Sequence, residues 1–530
     1  MEDKEQGRRG FLSYAAYGIG GGALLLAGGP GMAKGRDTKG HGIYDVKGFG
    51  AKGDGHTIDT AAINKAIAEA SSAGGGTVCF PGGTYASYSI HLKSNVTLYL
   101  DTGATILAAA DKSMGGTGEY DHAEPGPGNH YEDYGHRHWQ NSLLWGVGLE
   151  NIAIQGPGRI WGKGLSKGYG PGPKQETPGV ADKAIALKNC RNVTMRDFSI
   201  LHGGHFGILA TGVNNLTIDN LKIDTNRDGM DIDCCKNVRV SNCSVNSPWD
   251  DGICLKSSYA LNAPISTDMV TITNCLVSGS FEEGTLLDGT YKRFPPGTRH
   301  IGTGRIKFGT ESNGGFRNIT VSNCVFDGCQ GLALETSDGA LLEDVAITNI
   351  TMRYITSAPI FLRLNRRMRG PAGRSIGVLK RVLISGLVCS HSASHIASVI
   401  SGIPGHRIED VKIDNVYIQT DGGGEPQPEP PELETSYPEP GHFHPMPAGA
   451  FYIRHVKNIE MSNVEIAYVK PDQRPPFFLR DVDGADFFRI KVPQINGVSA
   501  FDLNDISDFS VGRSKPTPDT TIEHTSHKDL

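Results

Sequence analysis

The sequence predicts an all-β chain folded as a right-handed parallel β-helix, and three observations favour this fold class. A phrase that usually starts with Asn or Asp, with apolar residues at alternate positions, recurs from about residue 94, as in NVTMRDF at 192, NLTIDNL at 215 and NVRVSNC at 237. These starts are 23 and 22 residues apart, which fits one coil of a solenoid. Seventy glycines and an apolar share of 38% suit many short strands and tight turns.

The sixth residue after each start tests whether the coils stack in register. It is apolar in nine repeats out of nine, as expected for an inward column, because one coil cannot bury its apolar face without the next. The three cysteines in the column are expected to be buried thiols rather than disulfides or zinc ligands. The column consists of Phe198, Leu221, Cys243, Cys275, Cys324, Ile350, Leu387, Val416 and Val464.

Residues 1–33 are predicted to be a twin-arginine export signal. Arg8 and Arg9 precede a Gly/Ala/Leu stretch that ends in small residues, with cleavage expected after Ala33. A membrane anchor is the alternative, but the apolar part is shorter than a span of about 20 residues. We therefore expect a periplasmic or extracellular protein that leaves the membrane once the signal is cleaved.

Residues 34–513 are predicted to form one β-helix domain. Within it, TIDTAAINKAIAEASSAGGG (57–76) is predicted to be an amphipathic helix that caps the first coil, and the Pro/Glu-rich residues 422–447 a long rim loop. Residues 514–530 are predicted to be a disordered tail. With 51 basic and 57 acidic residues and no basic run, we expect a monomer with no nucleic-acid partner.

Acidic residues gather on the outward side of two neighbouring coils. Aligning the coils on the glycines of RDGMDID and DDGICLK places Asp228 beside Asp251, about 4.8 Å apart at the backbone, with Asp250 adjacent. His205 lies one coil below. Acids this close raise one another's pKa, which suits glycoside hydrolysis because that reaction needs one protonated and one ionised carboxyl group. A charged, solvated rim is the alternative interpretation.

A calcium loop is a further interpretation of the same segment. Asp224, Asn226 and Asp228 match the first half of D-x-[DN]-x-[DN]-G, but the twelfth position is Cys235 instead of a bidentate Glu. The preceding NLTIDNLKI has a strand pattern where that motif requires a helix. The sequence therefore predicts no metal and no cofactor, and a calcium-dependent β-helix lyase remains an alternative.

Four segments carry a family resemblance: FGAKGDGHTIDTAAINKAI (49–67), GGGTVCFPGGTY (74–85), NRDGMDID (226–233) and DDGICLKS (250–257). Over about residues 43–470 the chain resembles glycoside hydrolase family 28, the polygalacturonase and rhamnogalacturonan hydrolase group. The resemblance implies a pectin-lyase-like solenoid that hydrolyses α-glycosidic bonds of pectin-type polysaccharides or oligosaccharides with inversion.

The resemblance also implies the catalytic roles. Asp250 would be the general acid, and Asp228 and Asp251 the carboxylates that activate water. An inverting enzyme leaves room for that water. The alignment of the coils agrees, because it pairs Asp228 with Asp251 and sets Asp250 apart.

The sequence departs from the family pattern mainly where substrate would bind. Arg227 replaces the Thr of the family's NTD, Gly304 stands at its histidine position, and Ala333 and Glu335 stand at its RIK motif. Glu335 would repel a carboxylate, whereas cations on neighbouring coils would attract one. The predicted substrate-binding residues are Asn226, Asp231, His205, Lys256, Arg305, Lys307 and Arg363.

Two long insertions favour action on chain ends. Residues 281–300 and the loop 422–447 are expected to wall one end of the groove, which predicts an exo-acting enzyme. Two other classes remain open, because β-helix repeats also occur in them: a polysaccharide lyase and a non-catalytic carbohydrate-binding β-helix.

Overall fold

The computed structural model describes residues 42–125, 131–133, 135–168, 177–294, 302–393 and 395–530. The predicted export signal lies outside these residues. Within them, no helix is both long enough and apolar enough to cross a membrane.

The described chain confirms the right-handed parallel β-helix. Each early coil contributes one short strand to each of three stacks of parallel strands. The first, here called the site stack, carries the predicted acids. It consists of Ile90–His91, Ser142–Val147, Lys183–Lys188, Phe206–Thr211, Asp228–Asp233, Ile253–Ser257, Ile306–Ser312, Leu332–Thr336, Ile360–Leu364 and Ser398–Ser401.

The second stack, here called the turn stack, contains the repeated phrase, and the third stack closes each coil. From Phe316 onward the later strands of a coil merge into long continuous ones. The turn stack consists of Ile43–Asp45, Gly76–Phe80, Val96–Leu100, Glu150–Gln155, Arg191–Arg196, Asn214–Asp219, Lys236–Ser241, Thr267–Thr273, Phe316–Asp327, Leu341–Ile355, Val378–Ser392, Ile408–Gly422, Phe451–Lys470, Phe477–Phe488 and Phe501–Gly512. The third stack consists of Asp54–Ile58, Gly83–Ser87, Ala104–Ala108, Arg159–Trp161, Ser199–Leu201, Lys222–Asp224, Ser244–Asn246 and Leu276–Ser278.

The asparagines that open the repeated phrase have a physical reason. Asn151, Asn192 and Asn215 adopt the left-handed conformation, with φ between 54° and 62°, which Asn tolerates better than most residues. Their side-chain amides also form a ladder: Asn192 donates to Asn151 at 2.7 Å, and Asn215 to Asn192 at 3.1 Å. The same residue type therefore satisfies both the turn and the stacking of the coils.

The predicted inward column is confirmed. Each of its nine side chains is at most 2% exposed. Cys324, Ile350, Leu387, Val416 and Val464 lie directly above one another on successive strands. The three cysteines of the column are part of this core.

The predicted capping helix is also confirmed, over Thr60–Ser72. It buries Ile63, Ala66 and Ile67 in the same core as the first coils. Asp59, just before the helix, accepts the backbone N–H groups of Lys52 and Gly53 at 2.7 and 3.0 Å, which fixes the preceding AKGDG turn.

The predicted disordered tail is wrong. Thr520–Asp529 forms a strand that pairs antiparallel with the last coil, Phe501–Gly512. Its polar composition reflects its position on the last coil, because only Ile522 is buried and the other side chains of the strand are half-buried or exposed. Outside the stacks, Phe281–Glu283 and Lys292–Arg293 form an antiparallel hairpin, and Val46–Phe49, Lys112–Met114 and Pro440–Phe443 are 3₁₀ turns.

Candidate active site

Three aspartates lie at the start of two neighbouring strands of the site stack. Asp228 begins the strand Asp228–Asp233, and Asp250 and Asp251 immediately precede Ile253–Ser257. The observed register pairs residue 231 with 254 and residue 233 with 256, as the alignment on the glycines predicts. The coil repeat therefore brings the three carboxylates to one patch.

Glycines beside these acids allow the coils to approach closely. A Cβ on Gly229 would lie 2.4 Å from the carbonyl oxygen of Gly252, and one on Gly252 would lie 2.9 Å from that of Gly304. Real Cβ atoms do not approach this near, so a side chain at either position would separate the coils. This explains the D-G pairs next to the site. Gly304 has its own structural reason to be glycine, since a Cβ there would lie 2.1 Å from the carbonyl oxygen of Ser278.

The carboxylates of Asp228, Asp250 and Asp251 each place one oxygen within 4.8 Å of the others. The expectation that Asp250 stands apart is therefore wrong. The reason lies in Arg227, whose Nε donates to Asp250 Oδ2 at 3.0 Å and whose Nη2 contacts the same oxygen. This ion pair offsets the repulsion that would otherwise drive the acids apart.

Asp251 lies on the other side of the patch, among cations. Arg305 Nε donates to its Oδ1 at 2.8 Å, and Lys307 Nζ lies 3.6 Å from its Oδ2. The Pro/Glu-rich loop adds Glu439, which accepts from Arg305 Nη2 at 2.8 Å and lies 3.5 Å from Lys307 Nζ. Asp251 is thus held by two buried cations, which in turn share a second carboxylate.

These surroundings separate the three acids in pKa. Burial, together with the charges of Asp231 and Asp250, raises the pKa of Asp228 well above its usual range. Burial also raises the pKa of Asp250, although Arg227 opposes the rise. Burial alone would raise the pKa of Asp251, but Lys307 and Arg305 outweigh it and lower that pKa. The patch therefore combines carboxyl groups that favour the protonated form with one that favours the ionised form, as acid–base catalysis requires.

His205 is where the alignment predicts it, one coil below Asp228. Its Nδ1 accepts from Arg227 Nη1 at 3.3 Å, its Nε2 lies 4.0 Å from Asp228, and its ring stacks on Phe206. Burial and the nearby Arg227 lower the pKa of His205 well below its usual range. The imidazole is therefore neutral and supports Arg227.

Asp231 and Lys256 lie beneath the patch instead of on it. Asp231 is fully buried under His136, whose Nε2 is 2.7 Å from its carboxylate. Lys256 Nζ donates to Glu311 at 3.1 Å and lies 3.9 Å from Asp231. The structure thus corrects their predicted place in an open groove: the two residues form a buried network under the acids. Asn226 is half-buried in the turn before Asp228.

The structure also corrects the prediction for Arg363. It is fully buried, and its Nη1 donates to Ser401 Oγ at 2.6 Å and to the carbonyl of Gly402 at 2.8 Å. Its Nη2 donates to the carbonyls of Glu432 and Leu433 at 2.8 and 2.9 Å. Arg363 therefore anchors the Pro/Glu-rich loop and does not face a substrate.

Two segments border the patch. The segment around His136 and Trp139 crosses several coils of the site stack, from Thr211, to which Trp139 Nε1 donates at 3.1 Å, to Glu311, which lies 3.7 Å from His136 Nδ1. On the C-terminal side stands the loop that carries Glu439. The predicted insertion lies along a third edge: its Leu286 N–H donates to Asp224 in the third stack at 2.8 Å.

The three acids also have the spacing of a cation site, but their surroundings are already rich in positive charge. Arg227 lies against Asp250, and Arg305 and Lys307 lie against Asp251. These cations pair with the carboxylate oxygens that Ca²⁺ would require, and their positive charge would repel the metal ion. The donor set therefore fits a protein-neutralised acid patch better than a calcium site.

Sequence reasoning missed several residues of the site. His136, Glu311, Gln330 and Glu439 contact its charged groups, and each comes from a different coil or loop than the group that it contacts. None belongs to the family motifs quoted above. The Glu content of the predicted rim loop 422–447, which contains five Glu residues, was the one available signal, since this loop was expected to border the groove.

Comparisons with known proteins support the family resemblance. Residues 43–163 match the family described as rhamnogalacturonase A/epimerase, pectate lyase-like, and residues 179–295 match a right-handed beta helix region. A probable polygalacturonase of Vitis vinifera is 24% identical over 327 residues, which cover 58% of this chain and 60% of that relative. The chain thus spans less than two thirds of that relative.

Solved structures agree with the fold. A family 28 exopolygalacturonase of Yersinia enterocolitica matches with a TM-score of 0.61 at 18% identity, over 84% of this chain and 78% of that one. A hyperthermoactive exopolygalacturonase of Thermotoga maritima matches with a TM-score of 0.54 at 18% identity, over 92% and 95%. The chain is thus a right-handed β-helix that resembles glycoside hydrolase family 28.

Proposed function

We propose that the protein is a glycoside hydrolase that cleaves α-glycosidic bonds of pectin-type oligosaccharides. The observation that carries the proposal is the separation in pKa among three adjacent carboxylates, which is the requirement of this reaction. The relative of Vitis vinifera and the two exopolygalacturonases support it, because their names describe the same chemistry.

In this proposal Asp250 donates a proton to the leaving oxygen and Asp251 removes one from water. Asp250 suits the first role because its pKa is raised and, at 25% exposure, its side chain is the most accessible of the three. Asp251 suits the second because Arg305 and Lys307 keep it ionised. Asp228, whose pKa is raised further, shares the proton of the group and orients the water from the opposite side.

We propose inversion at the anomeric carbon, as the family resemblance implies. The spacing of the acids favours the other outcome, because oxygens within 4.8 Å are nearer to the roughly 5–5.5 Å of a retaining pair than to the roughly 6.5–9.5 Å of an inverting one. The anomer released first distinguishes the two. Proton NMR during the first minutes of reaction would show the β-anomer for inversion of an α-bond, and the α-anomer for retention.

We further propose that the enzyme releases units from chain ends. The loop that carries Glu439 borders the acids on the side of the later coils, and the segment around His136 and Trp139 lies across the site stack; we infer that together they close one end of the groove. An exo-acting enzyme releases mono- or disaccharides from the first turnover and lowers the viscosity of a polymer slowly. Rapid loss of viscosity with long products would contradict this part of the proposal.

The decisive experiment is product analysis by NMR on homogalacturonan, rhamnogalacturonan and xylogalacturonan oligosaccharides, with the wild type and Asp250→Asn side by side. We expect hydrolysis of at least one series by the wild type and its loss in the variant. A product that absorbs as a 4,5-unsaturated sugar and requires calcium would indicate a lyase. Unchanged glycan in every series, with equal binding by both proteins, would indicate a non-catalytic binding protein.

We also propose that the chain is exported by the twin-arginine route and acts as a monomer in the periplasm or outside the cell. Arg8, Arg9 and the following small and apolar residues support this. Replacing both arginines with lysine should keep the unprocessed chain inside the cell, as fractionation and immunoblotting would report.

A further inference from the structure

The cations at the Asp251 end of the site are buried and already paired with acids of the protein itself. Arg305 is 1% exposed, and its Nε, Nη1 and Nη2 donate to Asp251, Gln330 and Glu439. Lys307 is 2% exposed and lies within 3.6 Å of three carboxylates, those of Asp251, Glu335 and Glu439. Two cations therefore already face three acids.

The carboxylate of Glu439 stands where an anionic sugar would be expected to bind. It contacts both Arg305 and Lys307, two of the three cations that the sequence suggests for attracting a carboxylate. Tyr437 from the same loop places its ring 5.6 Å from Lys307 Nζ. The loop thus supplies this corner of the site with its own anion and an aromatic face.

The loop that carries Glu439 is fixed to the solenoid at several points. Besides the bonds from Arg363, Arg454 donates to the carbonyls of Pro430 and Pro431 at 3.0 and 2.9 Å. Asn365 Nδ2 donates to the carbonyl of Ser436 at 2.8 Å. Because these side chains hold the loop between residues 430 and 436, just before Glu439, displacing Glu439 would strain or break several of these bonds.

A second acid strengthens the effect. Glu335 is fully buried beside Lys307, and Thr310 donates to its Oε2 at 3.0 Å. Burial raises its pKa to about 7, so it is partly ionised near neutral pH. An additional carboxylate from a substrate would enter a region whose positive charge is already balanced, and like charges in a poorly solvated site repel strongly.

We propose that the sugar unit lying against Arg305 and Lys307 is uncharged, being a neutral or esterified pyranose and not a free uronate. This rests on the proposed glycosidase function and specifies its substrate class. Glu439 is a specificity-determining residue in this account, because its carboxylate occupies the cations that a free uronate would need.

The test compares substrates that differ only in charge. Free, methyl-esterified and carboxyl-reduced galacturonan oligosaccharides of one length are assayed for kcat/KM with the whole chain. We expect both uncharged forms to exceed the free acid by at least about tenfold. Glu439→Gln, which removes one negative charge, should raise the free-acid value relative to the uncharged forms by about tenfold.

Glu434→Gln is the matched control. Glu434 belongs to the same loop but pairs with Arg366 at 2.7 Å instead of with the site cations, so its replacement should leave the ratio unchanged. A wild-type preference for the free acid, with no change of ratio in Glu439→Gln, would overturn the inference. Failure of the proposed hydrolase function appears differently, as no cleavage of any of the three forms.

If none of the three forms is cleaved, their binding affinities can be compared instead. Calorimetric titration of Asp250→Asn with the three oligosaccharides needs no turnover. Tighter binding of the uncharged forms would support an uncharged unit even without hydrolysis, and tighter binding of the free acid would contradict it.

Discussion

The inward and outward sides of the same strands follow different rules. Inside the site stack, Ile208, Met230, Ile253 and Ile306 lie in one column, and all are fully buried aliphatic side chains. One position further along each strand, the outward column runs Leu209, Asp231, Cys254 and Lys307. Stacking demands similar shapes inside, whereas outside each coil is free to carry its own chemistry. Function is therefore found where the repeat is broken.

The sharpest way to test this difference is to neutralise one outward acid. Asp250→Asn should lower kcat by about 10²–10⁴-fold, because the amide cannot donate the proton to the leaving oxygen. The melting temperature should remain within a few degrees of the wild-type value. Asp486→Asn, at an acid that accepts from Ser510 on a distant coil at 2.7 Å, is the control and should leave kcat unchanged. Near-wild-type turnover of Asp250→Asn would remove it from the mechanism.

A substitution in the inward column should have the opposite effect, lowering stability and leaving kcat unchanged. Leu387→Ala removes a fully buried side chain from the inward column and should lower the free energy of unfolding by about 2–5 kcal/mol. Because this coil lies beyond the acids, kcat measured well below the melting temperature should be unchanged. Denaturant titration and initial rates report the two quantities, and a large loss of kcat with little loss of stability would contradict the division of roles.

Arg227→Thr tests how one outward residue tunes another. The guanidinium favours the ionised form of Asp250, so its removal should raise the pKa of that carboxyl further. Because Asp250 acts as the acid in the proposed mechanism, the alkaline limb of kcat/KM should move to higher pH. Arg227→Lys keeps the positive charge and should move the alkaline limb of the profile less. A shift towards lower pH would refute the assignment of Asp250 as the acid.

The smallest expected effect concerns the ladder of asparagines on the turn stack. Asn215→Ala loses a side-chain bond of 3.1 Å and places Ala at a φ of 62°, so stability should fall by about 1–2 kcal/mol. Asn215→Gly loses only the bond and should cost less. Thermal unfolding of both variants would separate the contribution of the turn conformation from that of the hydrogen-bond ladder. Equal losses of stability in Asn215→Ala and Asn215→Gly would show that the backbone conformation contributes nothing at this position.

Much of the site was predictable because it follows the coil repeat. Asp228 and Asp251 occupy equivalent positions of adjacent coils, so the register fixes their proximity and Asp250 follows as the neighbour of Asp251. The contacts of Arg227 and Glu439 were not predictable, because a side chain's ion partner depends on its rotamer and on where distant loops return. Arg363 illustrates the same limit, since nothing in its strand indicates that residues 432 and 433 lie against it.

The sequence alone determined the solenoid, its register, the inward column and the capping helix, because each depends on local periodicity repeated every coil. Tertiary structure alone decided which charges neutralise one another. It placed Asp250 next to Asp228, buried Asp231, ordered the final strand and brought Glu439 to Arg305. The physical reason is that backbone pairing is short-ranged and repeated, whereas the balance of charge in a buried site depends on every group that reaches it.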